Sequence, residues 1–402
     1  MTRTTWNFHT AGQLVFGFDA TDSVGALIRR RGWDRVLVVT DPILRKLGIV
    51  DRVTQSLAAA KLSVEIFDGG EPEPSFAAAE NAIQAAGEFR PGVILGLGGG
   101  SNMDLAKIVA AVTTHGGTYS DYFNFDRVPG PVMPLVCLPT TSGTGSEVSH
   151  AAVLTDTANE MKVSTLSNYL RPAIAVVDPA LTMSCPRKVT ADSGIDALTH
   201  AIEAYTATDS FAMDLAPGEL GAYEGRFPLA DCIAEKAIAL VGQHLVTAVN
   251  EPANREAREG MALASTLGGI AFSNAGVALV HALEYPLGGA LHCSHGEGNG
   301  LLLPHVMRFN LPERKRTFAK IAELLGEDVS GLNEDDAAER AVVAVERLRD
   351  AIGIRPRIRD LGGREEQLPL FAEKAFTLKR LQQTNPRVST PADFLDILRA
   401  AF

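Results

Sequence analysis

Basic residues are the minority charge in this 402-residue chain: 37 Lys and Arg stand against 48 Asp and Glu, a formal charge of -11. The cations are scattered, so the chain lacks the basic patch that holds a nucleic-acid backbone. Small molecules are the expected partners. Cysteine is scarce too. Cys137, Cys185, Cys232 and Cys293 lie far apart and show no CxxC spacing, which excludes a disulfide scaffold and fits reduced thiols. The N-terminus has neither an apolar core nor a small-residue cleavage site, and no later apolar run reads as long enough to span a bilayer. A cytoplasmic protein with no membrane partner is the expectation. Repeats and low-complexity tracts are missing as well. What is present, 46% hydrophobic residues, 21% charged and glycine throughout, is the profile of a globular enzyme of two domains.

From about residue 35 short apolar runs alternate with amphipathic stretches. Arg35 to Thr40, Ser63 to Phe67 and Gly92 to Gly96 read as strands, while Asp51 to Lys61, Phe76 to Phe89 and Asn102 to Thr114 read as helices. Two further strands are expected near Leu135 to Leu138 and Ala173 to Val177. Such alternation predicts an α/β N-terminal domain, residues 1–185, built on a parallel, Rossmann-like, doubly wound sheet that binds ligands at the carboxyl ends of its strands. Beyond Thr190 the segments are long and helix-like, among them Ile195 to Tyr205, Leu229 to Val249 and Arg255 to Ala271. An all-α C-terminal domain, residues 186–402, is expected.

Gly96-Leu-Gly-Gly-Gly-Ser101-Asn-Met-Asp104 follows the third strand and opens a helix. Glycines there let a pyrophosphate approach the main chain, and the free N–H groups of the helix start face its oxygens. Pro139-Thr-Thr-Ser-Gly-Thr-Gly-Ser-Glu147 sets hydroxyls and glycines directly after another strand, which suits a ribose or a nicotinamide ring. Asp41 follows the first strand, where a carboxylate accepts hydrogen bonds from ribose hydroxyls and repels a 2′-phosphate, favouring NAD over NADP. An Asp-Pro turn residue is the plain alternative.

Asp196 and His200 are four residues apart and share one helix face. His281, His292, His295 and His305 crowd into the segment that follows, flanked by glycines that let loops close around a ligand, although the chain has only nine histidines. One carboxylate with the imidazoles of His200, His281 and His295 makes a divalent-metal set suited to Fe(II) or Zn(II) and unsuited to Mg or Ca. His292 and His305 are bystanders, because four ligands already complete the set.

These elements, in this order, resemble the iron-containing (group III) alcohol dehydrogenase family from about Phe16 to Arg387. The resemblance implies metal ligands at Asp196, His200, His281 and His295, with Fe(2+) favoured over Zn(2+). It implies NAD contacts at Asp41, Gly99, Gly100, Ser101, Asp104, Thr140, Thr141 and Lys162. Many relatives carry a second histidine four residues after His281; here Tyr285 stands there. Its phenol can replace that imidazole as a hydrogen bonder, less readily as a base at neutral pH. Tyr285 and Lys162 are the catalytic candidates. Tyr285 and the segment Leu215 to Pro228 are similar to the hydroxyacid-oxoacid transhydrogenase branch, which passes hydride from 4-hydroxybutyrate to 2-oxoglutarate, and Arg226 in that segment is a candidate for pairing with a substrate carboxylate.

The expected activity is therefore NAD- and metal-dependent hydride transfer between a primary alcohol or hydroxy acid and the nicotinamide, in a homo-oligomer of two or more chains. A transhydrogenase is the alternative, a dehydroquinate-synthase-like lyase and a catalytically silent metal-binding scaffold the more distant ones. The lyase needs a Lys- and Arg-rich phosphate site that the sequence does not offer.

Overall fold

A computed structural model describes residues 3–159, 161–215, 219 and 221–402. The chain divides into two compact units: His9–Cys185, and Pro186–Phe402 joined by the N-terminal segment that ends at Phe8.

In the first unit the strands, among the described residues, are β1 (Leu14–Phe16), β2 (Arg35–Val39), β3 (Ser63–Phe67), β4 (Val93–Gly98), β5 (Asn124–Phe125), β6 (Leu135–Pro139), β7 (Ala151–Asp156), β8 (Met161–Leu166) and β9 (Ile174–Val177). Six form one all-parallel sheet in the order β1-β9-β6-β4-β2-β3. The helices are α1 (Val24–Arg30), α2 (Pro42–Lys46), α3 (Ile49–Ala59), α4 (Phe76–Phe89) and α5 (Gly100–His115). A strand covered on both faces must be apolar throughout, and Val-Ile-Leu-Gly-Leu-Gly of β4 is buried at every position. From β2 the chain steps outward to β3, then returns past β2 to β4 before moving on to β6. The winding thus reverses between β2 and β4, which is where an open α/β sheet leaves a crevice at its carboxyl end. Asp41 and the Gly98–Ser101 turn leave those two strands.

The sheet contains more than the periodicity indicates. β1 adds a parallel edge strand beside β9, and β7 and β8 form an antiparallel pair with β5 outside the main sheet. These strands are short or of mixed burial, so they carry no continuous apolar run.

The second unit is helical: α6 (Arg187–Thr206), α7 (Pro228–Asn250), α8 (Arg255–Ala275), α9 (Leu279–Leu291), α10 (His295–Asn310), α11 (Lys315–Leu324), α12 (Glu334–Ala351), α13 (Leu368–Phe376), α14 (Lys379–Gln383) and α15 (Pro391–Ala400). α6 packs against α7, α8 and α10, and from Gly194 to Thr206 no side is left to solvent. Its polar residues therefore need partners, because a buried polar group without one costs several kcal/mol, roughly 2–7. Thr199 and Thr206 donate to the Ile195 and Ile202 carbonyls of α6 itself, while Asp196 and Glu203 meet residues of α9 and α10. By length and composition α7 is apolar enough to cross a membrane, contrary to the reading from sequence. Half of that window is buried in the unit's own core, which accounts for its apolarity. The glycines around His281 to Gly300, read as letting loops close around a ligand, lie largely within the helices α9 and α10, with Ser294 capping α10 through the Glu297 N–H. Of the Leu215 to Pro228 segment, residues 216–218 and 220 lie outside the described residues.

Candidate functional site

In the sheet unit Gly98 ends β4 at φ +147°, a conformation glycine adopts freely, and Gly99 is the N-cap of α5. The backbone N–H of Thr140, just past β6, donates to the Gly98 carbonyl at 3.0 Å, so the start of the Thr-rich loop lies against the turn. The Thr141 and Thr144 side chains neighbour Gly99 and Gly100. Asp41 caps α2 with Oδ1, accepting from Ile43 and Leu44 N–H at 2.9 and 3.0 Å. Its Oδ2 accepts from Asn102 Nδ2 at 2.7 Å. The turn-residue alternative for Asp41 is thus realised, and Asn102, which the sequence reading passed over, fixes the carboxylate beside the Gly-rich turn. Ser101 Oγ accepts from Glu73 N–H, and Glu73 Oε1 pairs with Lys162 Nζ at 2.9 Å.

Asp104 sits differently. Its carboxylate accepts from Ser146 Oγ at 2.6 Å and Val153 N–H at 3.0 Å, and the fully buried Lys107 stands 3.7 Å away. Lys107 Nζ donates to Ser146 Oγ, Ser149 Oγ and the Ala151 carbonyl at 2.8, 3.2 and 2.7 Å. The pair ties α5 to the far end of the Thr-rich loop. Burial dominates both groups: it raises the Asp104 carboxyl and lowers the Lys107 ammonium despite their mutual attraction.

In the helical unit one oxygen of Asp196 is surrounded by imidazoles. His200 Nε2 lies 3.9 Å from Asp196 Oδ1, and His281 Nε2 and His295 Nε2 each lie 4.0 Å from it. α6 supplies the first two residues at i and i+4, α9 supplies His281 in its first turn, and α10 begins with His295. The ligating atoms of Asp196, His281 and His295 all fall within 4.8 Å of one another. The His200 ring stacks between Phe272, 4.2 Å away, and His281, 4.9 Å away.

Two carboxylates decide which ring nitrogens face inward. Glu203, one turn after His200, accepts from His281 Nδ1 at 2.6 Å and from the Ala278 and Val280 N–H groups at 2.9 and 2.7 Å, capping α9. Glu284 accepts from His295 Nδ1. An acceptor-only carboxylate on Nδ1 places the proton there and turns the Nε2 lone pair toward Asp196. Asn299 Nδ2 meets those lone pairs, at 2.8 Å from Asp196 Oδ1, 3.3 Å from His281 Nε2 and 3.2 Å from His295 Nε2. Acceptors that converge on one donor offer the same electrons to a cation. Asp196, His281 and His295 form that convergent group, and with the neighbouring His200 imidazole the donor set of one carboxylate and ring nitrogens fits Fe(II) or Zn(II).

Charge follows geometry. Burial opposes ionisation of Asp196, but His200, His295, His281 and the Asn299 amide outweigh it and hold the carboxyl below its ordinary value. Burial pushes His200 down to about 4, which leaves it neutral and able to ligate at pH 7. In His281 burial also disfavours the cation, but Glu203 and Asp196 prevail and lift its pKa. His295 is the accessible member, 30% exposed against 3–7% for Asp196, His200 and His281, and the half-buried Tyr285 ring lies 6.1 Å from it.

Arg226, a candidate for a substrate carboxylate, is already engaged. Its guanidinium donates to Asp231 at 2.6 Å and to Thr317 Oγ1 at 3.1 Å, and lies over the Tyr205 ring. Glu203, Glu284 and Asn299 are the site residues the sequence reading missed. The available signal was a carboxylate inside an apolar helical run, as in Val280-His-Ala-Leu-Glu284, which burial obliges to find a partner.

The chain matches the family described as iron-containing alcohol dehydrogenase over residues 11–179 and the C-terminal family of Fe-containing alcohol dehydrogenases over residues 223–402. It is 37% identical over 395 residues to an NAD-dependent methanol dehydrogenase of Bacillus methanolicus, covering 98% of this chain and 99% of that protein. It is 38% identical over 389 residues to a 1,3-propanediol dehydrogenase of Klebsiella pneumoniae, covering 96% of each. Among solved structures, a 1,3-propanediol oxidoreductase superposes with a TM-score of 0.93 at 37% identity, over 99% of this chain and 100% of that one. An iron-containing alcohol dehydrogenase of Thermotoga maritima superposes at 0.83 with 30% identity and 99% coverage of each. This chain belongs to the iron-containing alcohol dehydrogenase family.

Proposed function

We propose that the protein is an NAD-dependent, metal-dependent alcohol dehydrogenase that oxidises a primary alcohol to its aldehyde and runs the reverse reduction. The carrying observation is the convergence of three imidazole Nε2 atoms on Asp196 Oδ1 at 3.9–4.0 Å, in a family whose relatives act on small alcohols. Asp196, His200, His281 and His295 hold the divalent ion, Fe(II) in preference to Zn(II). When bound, the ion supplies Lewis acidity to an alcohol or carbonyl oxygen, and the nicotinamide accepts or returns the hydride.

The protein's own residues do the rest. Gly99 and Gly100, at the start of α5, offer N–H groups to the pyrophosphate. Asp41, fixed by Asn102, accepts from ribose hydroxyls and disfavours a 2′-phosphate. Ser101, Thr140 and Thr141 add hydroxyls at the ends of β4 and β6, Lys162 is tied to Ser101 through Glu73, and Asp104 acts through Ser146 by anchoring the Thr-rich loop. Tyr285, beside the accessible face of His295, offers its phenol to the substrate oxygen. The engagement of Arg226 with Asp231 takes away the candidate partner for a substrate carboxylate and so speaks against the hydroxyacid-oxoacid transhydrogenase, whose remaining support is Tyr285 and the Leu215 to Pro228 segment. A dimer or larger homo-oligomer in the cytoplasm completes the reading.

The test reconstitutes the chain with Fe(II) or Zn(II) and follows NADH formation from short primary alcohols and from 4-hydroxybutyrate, with and without 2-oxoglutarate. Steady NADH release from alcohols alone is expected. Turnover only when both acids are present would replace the dehydrogenase by the transhydrogenase. His281→Ala is expected to lose bound ion and activity together, and retention of both would remove His281 from the set.

A further inference from the structure

Glu284 is fully buried in α9, a helix whose other residues, apart from His281 and Tyr285, are apolar or small. Burying a carboxylate is expensive, so its surroundings should show what it does there. They are built to its shape. A Cβ on Gly288, one turn along α9, would stand 2.2 Å from Glu284 Oε1, and a Cβ on Gly298 of α10 would stand 2.8 Å from its Cγ. Two helices leave out side chains where this one carboxylate lies, and its Oε2 meets His295 Nδ1. Glu203 makes the equivalent contact to His281 from α6.

We propose that Glu284 is a positioning residue that sets how tightly the metal is held. This rests on the metal reading above. The carboxylate keeps His295 in the Nδ1–H tautomer, fixes the ring plane, and increases the basicity of the Nε2 lone pair given to the ion. His295 needs this more than the other ligands do. It is the exposed one, at the first position of its helix, and its ring neighbours, His281 edge-on at 5.2 Å and Tyr285 tilted at 6.1 Å, lie farther off than the stacked rings at 4.2 and 4.9 Å beside His200. Glu284 thus substitutes an electrostatic restraint for the packing that a 30% exposed imidazole does not have.

The test measures metal affinity directly. Metal-free full-length protein is titrated with Zn(II) in competition with a chromophoric chelator, and the Co(II) form is followed by its visible ligand-field bands. Glu284→Gln keeps the shape and an acceptor oxygen but removes the charge; about tenfold weaker Zn(II) binding is expected, with a changed Co(II) spectrum and an unchanged melting temperature of the metal-free protein. Glu284→Ala also removes the acceptor and should weaken binding about 100-fold. If the alanine variant does not fold, the glutamine variant carries the test alone. Zn(II) affinity within about twofold of wild type in folded Glu284→Gln overturns the proposal, since a side chain that only fills space leaves the affinity unmoved. His295→Ala separates the two levels of the argument. If it retains Zn(II) at wild-type affinity, the metal reading itself fails; if it loses Zn(II) while Glu284→Gln does not, only the role of Glu284 fails.

Discussion

Lys107→Met isolates the post that holds the Thr-rich loop. The ammonium is fully buried and donates to two serine hydroxyls and a carbonyl at 2.7–3.2 Å, with Asp104 3.7 Å away. Hydrogen bonds from a charged group are worth about 1.5–3 kcal/mol each. Their sum is not lost in full, because burial already lowers the Lys107 pKa and removing the ammonium recovers that desolvation cost. What remains is the penalty of leaving the Asp104 carboxylate buried without its cation, about 3–5 kcal/mol for breaking such a pair. For a unit of this size about 1 kcal/mol shifts the melting temperature by about 2–4 °C, so a loss of about 10 °C is expected. Scanning calorimetry with NAD absent reads it. Lys107→Met with Asp104→Asn should recover roughly half the loss, since neither charge is then stranded. A single variant that melts within about 2 °C of wild type, or a double variant no better than the single, would falsify the assignment of Lys107 and Asp104 as one buried pair.

Gly98→Ala places a Cβ 2.2 Å from Asn102 Nδ2 at a φ of +147°, so a destabilisation of about 3 kcal/mol or more is expected in urea unfolding. Gly99→Ala meets nothing closer than 3.6 Å and should fold normally while binding NAD at least about tenfold more weakly, as judged by fluorescence titration. Equal NAD affinity would put the pyrophosphate elsewhere. Arg226→Ala should cost about 1–2 kcal/mol through lost contact with Asp231 and Thr317 while leaving KM for 4-hydroxybutyrate unchanged. A several-fold rise in that KM would restore its substrate role. Arg308 joins Glu339 and Glu346, and its hydrogen bond holds the Glu346 carboxyl below its ordinary 4.5. A depressed folded pKa means this stability is complete above the unfolded value and is lost as pH falls through 4.5 toward the folded value. Glu346→Gln should therefore be less stable than wild type at pH 7, by under about 1 kcal/mol for so accessible a pair, and the gap should close near pH 3. A gap that widens on acidification would reverse the sign assigned to it.

Local periodicity carried the architecture. Alternating apolar runs and amphipathic stretches are properties of neighbouring residues, so the parallel sheet followed by a helical unit was legible from β2, β3, β4, β6 and β9. The edge strand β1 and the β7–β8 pair were not, because their residues acquire meaning only from the strand beside them. The same division runs through the site. Asp196 and His200 pair through helix spacing alone, and Gly98 to Ser101 announces itself as a turn. Glu203, Glu284 and Asn299 read as ordinary helical residues until the fold sets them beside His281, His295 and Asp196, with partners up to 103 residues away.

Sequence by itself determined the sheet-then-helices order, the Gly-rich turn after β4 and the pairing of Asp196 with His200 ahead of a histidine-rich segment, since each is written in residue type and short spacing. Only the tertiary structure decided which carboxylate orients which imidazole, that Asp104 anchors a loop beside the buried Lys107, and that Arg226 is occupied by Asp231. The physical reason is that a buried charge takes its role from whichever partner the fold brings within hydrogen-bond reach. Spacing along the chain does not specify that partner.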